Sequence, residues 1–387
     1  MTLQESASDA AFRASVREWM AEHLSGAFEP LRGASGLGAA GYDAALAKRW
    51  EQQLALGGWT GLGWPRAYGG RELPLGQQII FHEEYVRCGG PGRLGHIGEQ
   101  LLAPTLIAHG TASQQARFLP GILAGTSYWA QGYSEPGAGS DLAAVQTRAR
   151  RDPQTGEWVI DGQKIWTSWA HESDWIFVLA RCEPESRRHQ GLVLLLVPLA
   201  QPGITLRPIR QITGGSEFNE VFFDGARTEG SLHLGAPGQG WAVAMYLLGC
   251  ERGASTLGQQ AHFRSELDVV LSVAQSNAAA RHPLIRPRLV AAELGLMTLR
   301  SHALRVNGAP ADARASSIAK YLWSNWRRDL GDLAMDVLGA DAERAEGDVQ
   351  RMALQQLWLS SRADTIYAGT NEIQLNLIAE RALGMPR

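Results

Sequence analysis

The hydrophobic period of this chain changes twice along its length, and those two changes constrain the fold more than any other feature. Up to about residue 125, apolar residues recur at helical spacings, with Phe12, Val16, Trp19, Met20 and Leu24 building one face. From Ser127 to about Thr228 this gives way to short apolar stretches separated by turns. After Pro237-Gly238-Gln239-Gly240 the helical period returns, with Trp241, Met245, Leu248 and Arg252 on one stripe. It holds through Arg286–Arg305, Ser316–Leu338 and Val349–Asp364, with a Pro/Ala-rich loop at Gly308–Arg314. The order is helices, β unit, helices. The fold class expected is α+β, with domains at 1–125, 126–235 and 236–387.

In the first domain, a Gly-rich loop at Gly33–Gly41 precedes helical patterning over Tyr42–Leu56. A polar Gly/Pro segment, Gly61–Gly76, precedes Gln77–Cys88. A last short helix lies before Pro120, with Ser113 as its N-cap. In the middle domain, Trp158-Val159-Ile160 runs into Asp161-Gly162, a tight-turn signal, and Lys164–Ser168 returns as a second strand. Trp175–Ala180 and Leu192–Val197 are continuous apolar strands, followed by Ile204, Leu206 and Phe218–Phe223. No helical segments alternate with these strands. A closed or two-layered antiparallel β unit is therefore expected in place of a Rossmann sheet.

The 387 residues are 45% hydrophobic and 19% charged, a globular composition. A net charge of -3 gives no footprint for nucleic acid, and the basic run Arg148, Arg150, Arg151 reads as a solvated strand end. Cys88, Cys182 and Cys250 form no C-x-x-C pair, which points to a reducing compartment and a cytoplasmic location. Met1–Asp9 carries no signal-peptide core. Apolar runs such as Leu192–Ala200 fall far short of the ~20 residues of a spanning helix, so no membrane is expected. Histidines including His96, His109, His171 and His189 lack metal-ligand spacing, and no metal is expected.

Two segments carry candidate chemistry. In Ser134-Glu135-Pro136-Gly137-Ala138-Gly139-Ser140-Asp141, the glycines let a ligand approach the backbone and the serines add hydroxyls. Taken alone, the segment is equally a Gly/Pro-rich turn after a strand at Tyr128–Tyr133. It is not a G-x-G-x-x-G fingerprint. In Gly162-Gln163-Lys164-Ile165-Trp166-Thr167-Ser168-Trp169, Trp166 suits a planar ring system and the hydroxyls of Thr167 and Ser168 suit its heteroatoms. The alternative is a strand with its aromatic in the core.

Taken together, the S-E-P-G-A-G-S-D loop, the G-Q-K-x-W-x-S segment and the C-terminal Ile366-Tyr367-Ala368-Gly369-Thr370-Asn371-Glu372-Ile373-Gln374 resemble the acyl-CoA dehydrogenase family over nearly the whole chain. Gln131-Gly132-Tyr133-Ser134-Glu135-Pro136 and Tyr246-Leu247-Leu248-Gly249-Cys250-Glu251-Arg252 look most like its pimeloyl-CoA dehydrogenase large-subunit branch. The resemblance implies an N-terminal helical domain, a middle antiparallel β-barrel-like domain and a C-terminal helical bundle. It implies FAD and α,β-dehydrogenation of an acyl thioester. Ser134, Gly139, Trp166, Ser168, Thr370 and Glu372 would contact the flavin. Ser140, Arg252 and Tyr367 would contact the substrate, and the Ala368 backbone N–H would hold the thioester oxygen. The flavin supplies the redox chemistry and the protein aligns it.

The family's usual base lies between Tyr and Gly of the C-terminal motif, where this chain has Ala368. Some branches carry the base in a Glu-Arg pair on the first long helix after the β unit, which implies Glu251, beside Arg252. The apolar Tyr246–Cys250 run before it suits a carboxylate of raised pKa, Gly249 and Gly253 leave room beside it for substrate, and the small residues near Glu251 leave space for a bulky or branched group. Gly249 stands where some branches have an acidic residue, which leaves a carrier-protein-bound acyl group open beside acyl-CoA. Ala280-Arg281-His282-Pro283-Leu284 lacks the family's Phe-Gly, and Val337-Leu338-Gly339-Ala340 dilutes its Gly-rich motif. Both departures imply pairing with a different subunit, weaker FAD binding or FMN. The expected partners are an electron-transfer acceptor or oxygen and a homo- or hetero-oligomer, dimer or tetramer. Alternative activities are a flavin monooxygenase or oxidase, and a non-catalytic subunit of a heteromeric dehydrogenase.

Overall fold

The computed structural model describes residues 6–34, 42–251, 255–308, 313–344 and 348–386. Most of the Gly33–Gly41 loop, Gly253, the centre of the Gly308–Arg314 loop and all of Arg252 lie outside the described residues, as do the side chains of Glu251 and Ser316.

The first helices follow the sequence pattern. They are α1 (Ala7–His23), α2 (Ala44–Leu56), α3 (Leu75–Arg87), α4 (Ala103–His109) and α5 (Ala112–Leu123). Val16 and Met20 turn inward from α1. The N-cap of α5 is Thr111, not Ser113. The Thr111 hydroxyl accepts from the Gln114 amide while the Gln114 side chain accepts from the Thr111 amide, satisfying two orphan donors at once. Pro120 lies inside this helix instead of ending it. A π-helical turn, Ile97–Leu102, leads directly into α4, and neither was apparent from the pattern.

The strands are β1 (Trp129–Gly132), β2 (Arg148–Arg151), β3 (Trp158–Ser168), β4 (Trp175–Arg181), β5 (Leu192–Pro198), β6 (Ile204–Ile209), β7 (Phe218–Thr228) and β8 (His233–Gly238). They pair in the order β6-β7-β3-β2-β4-β5-β8, with β1 beside β4. The hairpin neighbours are antiparallel, but β1 runs parallel to β4 and β2 touches β4 in parallel. The unit is therefore mixed. A parallel partner needs a long connection, and the β2–β3 hairpin lies within the chain joining β1 to β4.

The two-layer expectation is the one the packing matches. Phe177 and Leu179 of β4, with Leu192, Leu194 and Leu196 of β5, enter one core with Phe118, Leu119, Val243 and Leu247. The alternate residues Ile176, Val178, Val193, Leu195 and Val197 enter another with Ile160, Val221 and Phe223. Strands buried on both faces read as continuous apolar runs, which is why β4 and β5 lack alternation. Helix α6 (Gly240–Glu251) packs Val243, Ala244 and Leu247 onto the first core.

The expected turn at Asp161-Gly162 is not a turn. β3 continues through it, and the register with β7 slips between Ile160 and Gly162. Gly162 has φ +147°, and a Cβ there would lie 2.7 Å from the Thr147 backbone. Glycine serves a bulge and a close approach here, not a hairpin. The hairpin turn falls instead at Asp152–Glu157, after the basic run of β2. There the Arg151 guanidinium lies 4.3 Å over the Trp158 ring, and Arg227 pairs with Asp152 and Glu157.

Two units separate by contact: Met1–Phe81 with Cys88–Glu251, and His82–Arg87 with Arg252–Arg387. The second unit holds α7 (Ser255–Ser276), α8 (Ile285–Gly308), α9 (Ala313–Leu338), α10 (Val349–Ser361) and α11 (Asn371–Leu377). Its core joins Leu267, Val270, Leu296, Leu330, Leu333 and Leu357. Among the described residues, no helix is long and apolar enough to cross a membrane.

Candidate functional site

In the first unit the two motifs of interest lie against each other. The chain leaves β1 and folds back in a two-residue turn, Glu135 and Ala138 exchanging backbone hydrogen bonds at 3.0 Å around Pro136-Gly137. The Ile165 amide of β3 donates to the Ser134 carbonyl at 2.9 Å. Lys164, 0% exposed, donates Nζ to the Tyr133 carbonyl at 3.0 Å and to Glu135 Oε1 at 2.8 Å. The Glu135 carboxylate also accepts from the amides of Gln146 and Thr147 at 2.7 and 2.9 Å. The loop is thus stapled to β3 by one buried ion pair and its backbone partners.

The electrostatics agree with an ionic pair at neutral pH. Burial pushes the Glu135 carboxyl up, but the Lys164 ammonium and the Thr147 and Gln146 N–H groups outweigh it and hold the group below its ordinary range. Burial brings Lys164 down to about 8, against the opposing pull of Glu135.

The second register slip of β3 against β7 falls between Lys164 and Thr167. Trp166 there has φ +59°, a region non-glycine residues seldom occupy. This bulge turns the indole outward, leaving Trp166 56% exposed with its ring edge against Phe218. The core reading of Trp166 is therefore wrong. Thr167 points the other way: it is buried, its hydroxyl finds no partner among the described residues, and its carbonyl accepts from Asn219 Nδ2 at 3.0 Å. The sequence reading had both hydroxyls bonding the ring's heteroatoms; strand alternation puts only Ser168 on the face that carries Trp166. Asn219 in turn meets His171 Nδ1 at 3.0 Å, so His171 braces the bulge from behind.

This face suits a flat, hydrogen-bonding ring. Among the described residues, no hydrogen bond engages the hydroxyls of Ser134, Ser140 or Ser168. A Cβ at Gly137 or Gly139 would meet nothing within 4 Å, and neither has positive φ. The protein's own packing does not call for these glycines, which leave a bare backbone for a ligand. The back of the turn borders an open cleft of about 520 Å³, lined by Gly137, Gln146, Arg148 and Asp161 but not by Trp166 or Ser168.

The second unit presents the C-terminal motif. Ala368 has φ +52° and Gly369 φ +90°. Tyr367 is 47% exposed, its hydroxyl donating to Asp364 Oδ1 at 2.9 Å. Thr370 caps α11, accepting from the Ile373 amide, and Glu372 sits exposed in the first helical turn. Lys164, Glu135, Asn219 and Asp364 were missed as supporting residues. Glu251 ends α6, but its side chain and all of Arg252 lie outside the described residues. No cluster of His, Cys, Asp and Glu that could hold a metal is found among the described residues.

Family models match the chain consecutively: acyl-CoA dehydrogenase N-terminal domain at 6–126, middle domain at 130–226 and C-terminal domain at 238–383. The chain is 53% identical over 379 residues to acyl-CoA dehydrogenase IpdE1 of Mycobacterium tuberculosis, covering 97% of each. It is 51% identical to acyl-CoA dehydrogenase IpdE1 of Mycolicibacterium smegmatis, again over 97% of each. Among solved structures, the Tcur3481-Tcur3483 steroid ACAD superposes with a TM-score of 0.86 at 29% identity, covering 100% of both chains. None of these is named for pimeloyl-CoA, so the branch expected from sequence gains no support from them.

Proposed function

Since the chain belongs to the acyl-CoA dehydrogenase family, we propose that it introduces an α,β double bond into an acyl-CoA with FAD as cofactor. The observation that carries this reading is the outward Trp166 on its bulge, flanked by the unengaged hydroxyls of Ser134 and Ser168. FAD is the flavin of this family, and when bound it supplies the acceptor for the β-hydrogen.

Each remaining part falls to the chain's own residues. Trp166 packs along the ring, Ser134 and Ser168 hydrogen-bond its edge, and Gly139, Thr370 and Glu372 line the rest of the cofactor. Glu251 removes the α-proton, because Ala368 has no side chain that could. The Ala368 N–H donates to the thioester oxygen, where negative charge gathers as the α-proton leaves. Ser140, Tyr367 and Arg252 hold the acyl-CoA. The catalytic domains run 1–125, 126–235 and 236–387.

The acyl group we propose is bulky and ring-bearing. A neighbour in structure is named a steroid ACAD, and a Cβ at Gly249, beside Glu251, would meet nothing within 4 Å. The same neighbour carries a paired name, Tcur3481-Tcur3483, and the diluted motif at Val337–Ala340 fits assembly with a different subunit. Three free cysteines support a cytoplasmic location.

Anaerobic titration of the purified protein with straight-chain and steroid-type acyl-CoAs tests the reading. Bleaching of the flavin by an acyl-CoA is the expected result. Flavin reduced only by NAD(P)H or a reductase sinks it in favour of a monooxygenase. Flavin acquired only on co-expression with a second chain of this fold makes the active species a heteromer.

A further inference from the structure

One face of α9 grips the turn that carries Ala368. Lys320, Ser324 and Arg327 stand four and three residues apart, so helical geometry aligns them. Lys320, 4% exposed, donates Nζ to the Asp364 carbonyl and lies over the rings of Trp323 and Tyr367 at 4.4 and 5.1 Å. Arg327 donates Nη1 to Asp364 Oδ2 at 2.8 Å while its Nε and Nη2 clasp Glu266. At the other end of the turn, Ser324 donates to Asn371 Oδ1 at 3.0 Å, and the Asn371 amide donates to the Thr365 carbonyl at 3.0 Å.

Between these two fastenings the chain takes a conformation it would not choose. Ala368 is left-handed at φ +52° without being glycine. Such a residue persists only where its surroundings over-determine it, and such residues gather at functional sites. What reaches it is short: Asp364 holds the Tyr367 hydroxyl, and the Ala363 carbonyl accepts from the amides of Ile366 and Tyr367 at 2.8 and 3.1 Å. Asp364 is 1% exposed and bound through both carboxylate oxygens, one by Arg327 and one by Tyr367. A bare carboxylate is expensive to bury, and the Arg327 guanidinium and the Tyr367 hydroxyl are what offset that cost here.

We infer that Asp364 is a positioning residue for dehydrogenation: through Tyr367 on one side and α9 on the other, it sets the aim of the Ala368 N–H. The inference rests on the reading of that N–H as the thioester contact. Asp364 is buried with both carboxylate oxygens engaged, so it offers no surface to a substrate. Its effect passes through the turn.

Two variants of the FAD-loaded protein test it. Tyr367→Phe removes only the hydroxyl, and Asp364→Asn keeps the shape but removes the charge that faces Arg327. Two readouts are taken: hydrogen exchange of the 364–371 amides, and the rate of flavin bleaching at saturating acyl-CoA. Both variants should exchange faster at Ala368 and Gly369. Bleaching should slow by about tenfold in Tyr367→Phe and about a hundredfold in Asp364→Asn, the latter at the low end of losing an oxyanion donor. FAD affinity should stay within about twofold, since neither residue is assigned to the cofactor. Wild-type exchange in both variants, or lowered melting with wild-type bleaching rates, overturns the inference. A wild-type protein that no acyl-CoA bleaches sinks the dehydrogenase reading instead. Exchange alone then decides whether Asp364 holds the turn.

Discussion

The amide of Ile165 donates to the carbonyl of Ser134 at 2.9 Å, tying the loop after β1 to the bulge of β3. Everything proposed to touch the flavin in the first unit hangs on this junction. Residues 134 and 168 present hydroxyls on the two chains it joins, and Trp166 is the next residue after the donor. A backbone bond cannot be deleted by substitution, but its neighbours can.

Lys164→Met tests the junction from within. The substitution keeps much of the length of the side chain and leaves the Glu135 carboxylate buried without its cation. Breaking a buried pair in this way costs about 3–5 kcal/mol. The double variant Glu135→Gln, Lys164→Met should recover part of that loss, because no uncompensated charge remains. Urea denaturation of the three proteins measures the difference. FAD affinity should fall with the single variant and recover less than stability does, since the Tyr133 carbonyl still lacks its donor.

The same pair gives a pH dependence whose sign is fixed. The folded Glu135 carboxyl lies below its ordinary range, so between the two values the unfolded chain binds the extra proton. The stability it contributes is complete above the ordinary carboxylate range and is lost as pH falls through the depressed folded value. Below the range in which Lys164 itself titrates, about 8 in the wild type, the melting-temperature gap between wild type and Glu135→Gln should therefore persist down to about pH 5 and close only below about pH 4. A gap that closes between pH 6 and 7 would contradict the assignment.

How far the sequence led depends on how local each cause was. The helix–β–helix order was legible because burial imprints a period, and β4 and β5 showed themselves as unbroken apolar runs. Asp161-Gly162 misled because its glycine answers to Thr147, a neighbour in space and not along the strand. The cap of α5 was readable as Thr111 with Gln114 three residues on, and was passed over for the nearer Ser113. β8 went unseen because His233–Gly238 is short and rich in glycine and proline. Lys164 had no chance of being read as core: a lysine is ordinarily exposed, and the carboxylate that makes it otherwise lies 29 residues earlier.

Trp166→Ala separates binding from folding. A ring 56% exposed contributes little to the core, so thermal stability of the flavin-free protein should change by less than about 1 kcal/mol. Loss of a stacked aromatic face should weaken FAD binding by about tenfold or more. Fluorescence titration of the apoprotein reads the affinity directly. Undiminished affinity would mean that Trp166 faces a partner or substrate and not the flavin.

Glu251→Gln addresses the departure that most distinguishes this chain. Ala368 offers an N–H and nothing that can take a proton, so a dehydrogenase of this sequence must find its base elsewhere. Glu251 closes a helix in which the five residues before it, Tyr246, Leu247, Leu248, Gly249 and Cys250, carry no charge. The amide removes the proton acceptor at nearly constant volume. Removing a general base costs about 10²–10⁴ in rate, so flavin bleaching by acyl-CoA should fall at least that far while bound FAD and its visible spectrum persist. Should the variant bleach as fast as wild type, the base lies on another residue and the Glu-Arg pair is structural. Should it lose FAD as well, Glu251 belongs to the cofactor's support and its assignment as base falls.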